Sequence, residues 1–184
     1  MISLAKAVVI LLITTAAQYC AAQVAPITPI SSLDLQRYQG TWYEMAKYPN
    51  RFQTMCVKTT IARYAIQPSG SVSVTNSCTD KTGATTTAIG EARLIGADKN
   101  PQSATLQVRF APAWLSWLPM VWGDYWVIAI DPQYQWSIVS EPNREFLWVL
   151  SRSKQLDASA WATIEAQIKR AGLDLTKLEK TIQD

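Results

Sequence analysis

From residue 41 to residue 152 the chain is cut into eight short segments, each closed by residues that favour turns. They run over 41–48, 56–66, 71–78, 84–95, 103–110, 123–131, 135–140 and 145–152. Between them stand Pro49-Asn50, Pro68-Ser69-Gly70, Lys81-Thr82-Gly83, Asp98-Lys99-Asn100-Pro101, the Pro-bounded 112–119 stretch, Asp131-Pro132 and Glu141-Pro142-Asn143. Pro lacks the ladder donor, and Gly, Asn and Asp tolerate turn backbone, so these dipeptides end strands and reverse the chain. Eight short strands at this spacing predict an antiparallel barrel or sandwich. Beyond Asp157 the period changes: Ala160, Trp161, Ile164, Ile168 and Ala171 recur at helical spacing, with Asp157 suited to the N-cap and Gly172 to the C-terminal stop.

The chain has 184 residues, 48% of them apolar, which fits one domain with a core of its own. Its net charge is +3 with Lys and Arg scattered, so no basic stripe of the kind that phosphate backbones require is present and nucleic acid is not expected as a partner. There is no histidine. That removes Ser-His-Asp and Cys-His catalysis and His-ligated zinc or haem together. With no Gly-rich phosphate loop and no CxxC pair either, no cofactor and no metal are expected.

Residues 1–22 differ from the rest. Lys6 precedes the apolar run Ala7-Val8-Val9-Ile10-Leu11-Leu12-Ile13, and Ala21-Ala22 precede Gln23. The run is too short to span a bilayer and reads as a cleaved export signal, leaving residues 23–184 as the single mature domain. The expected location is therefore periplasmic or secreted, with association to the outer membrane left open. Lipid anchoring at Cys20 is not expected, because Tyr19 stands where the processing peptidase needs a small residue. Cys56 and Cys78 flank the 67–70 turn, so a hairpin brings them near register in an oxidising compartment. A disulfide is the expected reading; two buried free thiols are the alternative.

Alternation decides what the interior holds. If Trp42 faces inward, so do Glu44, Ala46 and Tyr48; if Arg152 does, so do Leu150, Trp148 and Phe146. Segment 84–95 places Thr86, Ala88, Gly90 and Ala92 on one face, which fills little volume. An eight-stranded barrel is just wide enough for packed side chains or one small ligand, and a face of Ala and Gly favours the ligand.

Three motifs occur in order: Gly40-Thr41-Trp42-Tyr43-Glu44 with Tyr48-Pro49-Asn50-Arg51-Phe52, then Gly123-Asp124-Tyr125-Trp126-Val127-Ile128, then Phe146-Leu147-Trp148-Val149-Leu150-Ser151-Arg152. Together they resemble the lipocalin signature, and within it the bacterial and apolipoprotein-D-like group, over residues 33 to 183. The resemblance implies an all-β, eight-stranded, antiparallel up-and-down barrel with one C-terminal α-helix packed outside. It implies a closed base held by Gly40, Trp42 and Arg152 with the Asp131 turn beside it, the guanidinium stacking on the indole. The usual Thr-Asp-Tyr of the second motif is Ile130-Asp131-Pro132 here, which leaves the turn but not a receptor contact built on it. The strand topology then gathers the connections near 49–55, 79–84 and 111–122 at the mouth. The last carries Trp114, Trp117, Leu118 and Trp122, either folded inward as a lid or exposed for ligand gating or membrane contact.

The resulting expectation is a binding protein, not an enzyme, that carries a fatty acid, a lysophospholipid or a similar hydrophobic or amphipathic molecule. Its apolar tail would lie among Ala46, Tyr48, Ala62, Tyr64, Val74, Ala88, Val108, Phe110, Tyr125, Val127, Phe146 and Trp148, each buried methylene contributing about 0.8 kcal/mol. Arg51 at the rim would meet an anionic head. Two rivals stay open: a lipid-modifying enzyme of isomerase type using Glu44 as a buried acid, and an envelope interaction protein using the Trp-rich loop. Residues 174–184 read equally as a helix, from Leu175, Leu178 and Ile182, or as the extended segment that the resemblance implies.

Overall fold

Alternating Ala62, Tyr64 and Ile66 against exposed Arg63 and Ala65 give a strand one apolar face, and that face must find a partner surface. The computed structural model describes residues 25–97 and 100–184; the export signal expected over 1–22 lies outside them. Eight antiparallel strands form: β1 (Gly40–Lys47), β2 (Cys56–Ile66), β3 (Val72–Asp80), β4 (Thr85–Leu94), β5 (Thr105–Arg109), β6 (Gly123–Ile130), β7 (Trp136–Ser140) and β8 (Leu147–Ser151). Each pairs with the next, and β1 pairs with both β2 and β8, so the sheet closes on itself as an up-and-down barrel with no long free edge.

Helix α1 (Leu35–Tyr38) crosses the end of the barrel where β1 starts. Helix α2 (Ala158–Arg170) lies outside, with Asp157 as its N-cap accepting from the Ala160 amide. Its buried Ile164 and Ile168 pack on Trp136, Ile138, Leu147 and Val149, the outward residues of β7 and β8. A second cluster lies inside the barrel, from Trp42, Tyr38 and Leu33 to Val127, Val139 and Leu150. All five residues of β7 are therefore buried, one face under α2 and the other in the barrel.

After α2 the chain makes a single 3-10 turn and then a short strand, β9 (Glu179–Lys180), that pairs with β1. Of the two readings of residues 174–184, the extended one is found. The segment continues between β1 and β2, the Thr181 amide donating to the Met45 carbonyl (3.0 Å) and the Thr59 amide to the Ile182 carbonyl (2.7 Å). Cys56 and Cys78 form a disulfide at the other end of the β2–β3 ladder from its turn.

One feature of β1 changes the interior. Its register against β8 slips between Glu44 and Ala46, a β-bulge. An extra residue in one strand reverses the side of every residue after it. Trp42 and Glu44 point inward, but Ala46 and Tyr48 join the outer cluster with Ile138, Leu147 and Ile164. The expected inward placement of Ala46 and Tyr48 is thus corrected; the Tyr48 hydroxyl donates to the Asp174 carbonyl at 2.8 Å on the barrel's outside.

Candidate functional site

The closed end is assembled around the C-terminal carbonyls of α1, which lack partners within so short a helix. Arg152 supplies the donors. Its Nη2 donates to the carbonyls of Arg37 (2.6 Å), Tyr38 (3.1 Å) and Gln39 (2.9 Å), and its Nη1 to that of Thr41 (2.8 Å). The guanidinium carbon lies 3.8 Å from the centre of the Trp42 ring, and Trp42 Nε1 donates to the Tyr38 carbonyl (2.7 Å). Gly40, at φ +98°, has its missing Cβ only 3.3 Å from Arg152 Nη1, so a side chain there would meet both backbone strain and the guanidinium. Beside it the Asp131 carboxylate accepts from the amides of Gln133 (2.9 Å) and Gln135 (3.2 Å), which keeps the 131–135 turn despite Pro132.

Above this floor sits a chain of hydroxyls. Ser137 Oγ, Tyr38 Oη, Tyr125 Oη and Tyr64 Oη are linked in that order at 3.3, 2.8 and 3.0 Å. Burial pushes the Tyr38 hydroxyl up to about 12 and those of Tyr64 and Tyr125 higher still, so all three are neutral donors and acceptors at physiological pH. Tyr64 and Tyr125 are among the expected lining residues; Tyr38 and Ser137 are not, since one lies in a single-turn helix and the other in a strand with no alternation of burial.

At mid-height the wall is small. Ala62 stands opposite Asn76, Asn76 opposite Ala88, Val74 opposite Gly90 and Ala92 opposite Val108. Val74, Ala62 and Val127 are buried inside, and Val108 packs against them. Ala88 shares their inward face yet is exposed, so the barrel is open to solvent at that level. A Cβ on Gly90 would come within 2.7 Å of the Phe110 ring and 2.5 Å of the Arg109 carbonyl. Glycine is what lets Phe110 lie across the wall.

The mouth is aromatic. The Phe52, Phe146 and Trp148 rings follow one another at centroid distances of 5.5 and 5.8 Å. Arg51 is exposed beside them, over the Phe52 ring. Beneath the rings Glu44 is 3% exposed, its carboxylate accepting from Gln53 Nε2 and Thr181 Oγ1, both at 2.6 Å. Gln53 Oε1 in turn accepts from Trp148 Nε1 (2.9 Å) and Asn50 Nδ2 (2.8 Å). Burial raises the Glu44 pKa, against the two hydrogen bonds that favour its ionised form.

The 111–122 loop folds as two single 3-10 turns and does not close inward as a lid. Trp114 and Trp117 are each 74% exposed and Met120 85%, while Leu118 is half-buried. Trp122 departs from the group: it lies under the Arg93 and Arg109 guanidinium groups, at 4.0 and 5.2 Å, on the barrel's outer face.

A family model described as a lipocalin-like domain matches residues 33–183. The chain is 37% identical over 157 residues to temperature-induced lipocalin-1 of Arabidopsis thaliana, covering 84% of this chain and 81% of that protein. It is 32% identical over 161 residues to the outer membrane lipoprotein Blc of Escherichia coli K12, covering 86% and 85% respectively. In shape it is similar to insecticyanin of the tobacco hornworm Manduca sexta, with a TM-score of 0.66 over 84% of this chain and 83% of that one at 23% identity. An eight-stranded cup floored by Trp42 and Arg152, and matched along nearly its whole described length, places this chain in the lipocalin family.

Proposed function

We propose that the protein carries one hydrophobic or amphipathic small molecule, a fatty acid, lysophospholipid or similar lipid, in the barrel, without transforming it. The observation that carries this reading is the inward, exposed Ala88 amid Ala62, Gly90 and Ala92: a small-residue wall open to the mouth leaves room for a ligand chain. The apolar tail lies against Val74, Val108, Val127 and Tyr125, and the head stays at the aromatic mouth near Arg51. The disulfide fits an oxidising compartment, periplasmic or extracellular, and the E. coli relative is named for the outer membrane. Exposed Trp114, Trp117 and Met120 beside the mouth suit transient contact with a lipid surface, from which such a ligand would be taken up.

Native mass spectrometry of the mature protein purified from its own export compartment, with organic extraction, tests the carrier. The expected result is one lipid per chain, chemically unchanged on incubation. An empty protein whose tryptophan fluorescence ignores fatty acids and lysophospholipids would overturn it, and turnover of the bound lipid would point to the enzyme instead.

A further inference from the structure

The ladder between β1 and β2 covers only half of the wall. It runs from Gly40 opposite Tyr64 to Tyr43 opposite Ile61 and stops. Toward the mouth β1 bulges after Glu44, and β2 slips register between Lys58 and Ile61. Thr59 lies within that slip at φ +55°, a left-handed backbone that a β-branched residue takes only under strain. The two strands part, and residues 181–183 lie in the gap bonded to both edges. On the β1 side the Thr181 amide donates to the Met45 carbonyl; on the β2 side the Ile182 carbonyl accepts from the Thr59 amide. Gln183 Nε2 donates to the carbonyls of Glu44 (2.7 Å) and Thr60 (2.9 Å), the two residues at which the ladder would have continued.

This segment is held by hydrogen bonds and not by burial. No residue after Leu173 is buried, and Ile182 is 62% exposed. Its ion pairs, Lys47 with Glu179 and Lys58 with Asp184, keep their acids in water, where such pairs contribute little. Gln183 Oε1 is buried and, among the described residues, has no partner, so water would satisfy it if the segment lifted. A stretch bonded in this way opens locally at far less free energy than the whole fold. Directly behind it are buried Glu44 and Thr60, with the Thr181 hydroxyl closing over the Glu44 carboxylate.

We infer that residues 181–184 are a detachable stave of the barrel, which lifts from the β1–β2 seam and opens a side slot through which the carried molecule enters and leaves. This rests on the carrier reading above and adds how the cup is loaded. With the stave in place, an acyl chain must pass end-first beside the Phe52, Phe146 and Trp148 rings. A slot running down from the rim lets the same chain pass sideways. The mouth loop stays fixed meanwhile, because Gln53 still bridges Glu44 and Trp148. A gate of this kind alters the barrier between empty and loaded protein and neither end state, so loosening it speeds entry and exit together.

The test is stopped-flow fluorescence with cis-parinarate, a fatty acid that brightens when bound, on the mature wild type, Gln183→Ala and Ile164→Val. The last is a control that loosens α2 against the barrel far from the seam. Gln183→Ala removes the donor shared by the two strands and should raise association and dissociation rates together by about fivefold, the order of one net hydrogen bond, with Kd within about twofold of the wild type. Ile164→Val should move neither rate. In the wild type, amide hydrogen exchange read by NMR should show Thr59 and Thr181 exchanging at least about a hundredfold faster than the paired amides of Trp42 and Ala62. That measurement needs no variant and decides alone should Gln183→Ala not fold. Unchanged rates in Gln183→Ala, a change in one rate only, the same acceleration in Ile164→Val, or Thr59 and Thr181 exchanging only with global unfolding would each overturn the stave and leave the carrier standing. A protein that binds no parinarate would overturn both.

Discussion

Arg152 holds the base through geometry that lysine cannot copy, and this can be measured. Three of its carbonyl acceptors share Nη2, which carries two protons, so with Nη1 the guanidinium makes about three full hydrogen bonds plus the stack on Trp42. The group is half-buried and screened by water, so each bond is taken at the ordinary net value of about 1 kcal/mol, below that of a buried charged donor, and the stack at about 1 kcal/mol. Arg152→Ala should cost roughly 3–4 kcal/mol. Arg152→Lys keeps the charge but offers a point donor in place of a planar fork, and should recover only about a third of that loss. Urea unfolding followed by far-UV circular dichroism reads both, and a double-mutant cycle with Trp42→Phe isolates the stack. If Arg152→Lys lies within about 0.5 kcal/mol of the wild type, charge alone closes the base and the fork argument fails.

Breaking the Cys56–Cys78 bridge, which closes a sequence separation of 22, should lower stability by roughly 3 kcal/mol in the Cys56→Ser/Cys78→Ser protein, read by denaturant midpoint. For Glu44, burial raises the folded pKa above the ordinary 4.5, so the folded state binds the extra proton and this contribution is lost as pH rises from about 4.5 through the folded value. Glu44→Gln should therefore gain on the wild type as pH rises over that window, in unfolding measured at several pH values; a gap that stays constant or shrinks would refute the assignment. Replacing Trp114 and Trp117 together by Ser should weaken partition into phospholipid vesicles on the order of tenfold in a sedimentation assay, while leaving the thermal midpoint near that of the wild type.

Much of this molecule is legible in its sequence because the rules that write it are local. Turn residues mark where strands stop, and the eight segments differ from β1–β8 by a residue or two at each end. The base is legible through the family resemblance, whose motif holds because Gly40, Trp42 and Arg152 each do something few other residues can. Two kinds of information escape. The sidedness of a whole strand is carried by a count of two, and the bulge after Glu44 breaks that count without any Gly or Pro to announce it. In β7, burial on both faces erases the alternation from which inward Ser137 could have been picked out.

The partners that satisfy the polar groups inside the barrel escape as well, and this has a physical cause. A polar group in a closed barrel survives largely through partners distant in sequence: Glu44 through Thr181, Tyr38 through Tyr125 and Ser137. No window of sequence contains both ends of such a bond. The bulge is what makes the first of these possible, because by turning Met45 and Ala46 outward it leaves β1 free to pair with the tail, whose Thr181 then reaches the carboxylate of the preceding inward residue. Glu44 is thereby spent on tying the mouth loop to the tail, with both oxygens engaged.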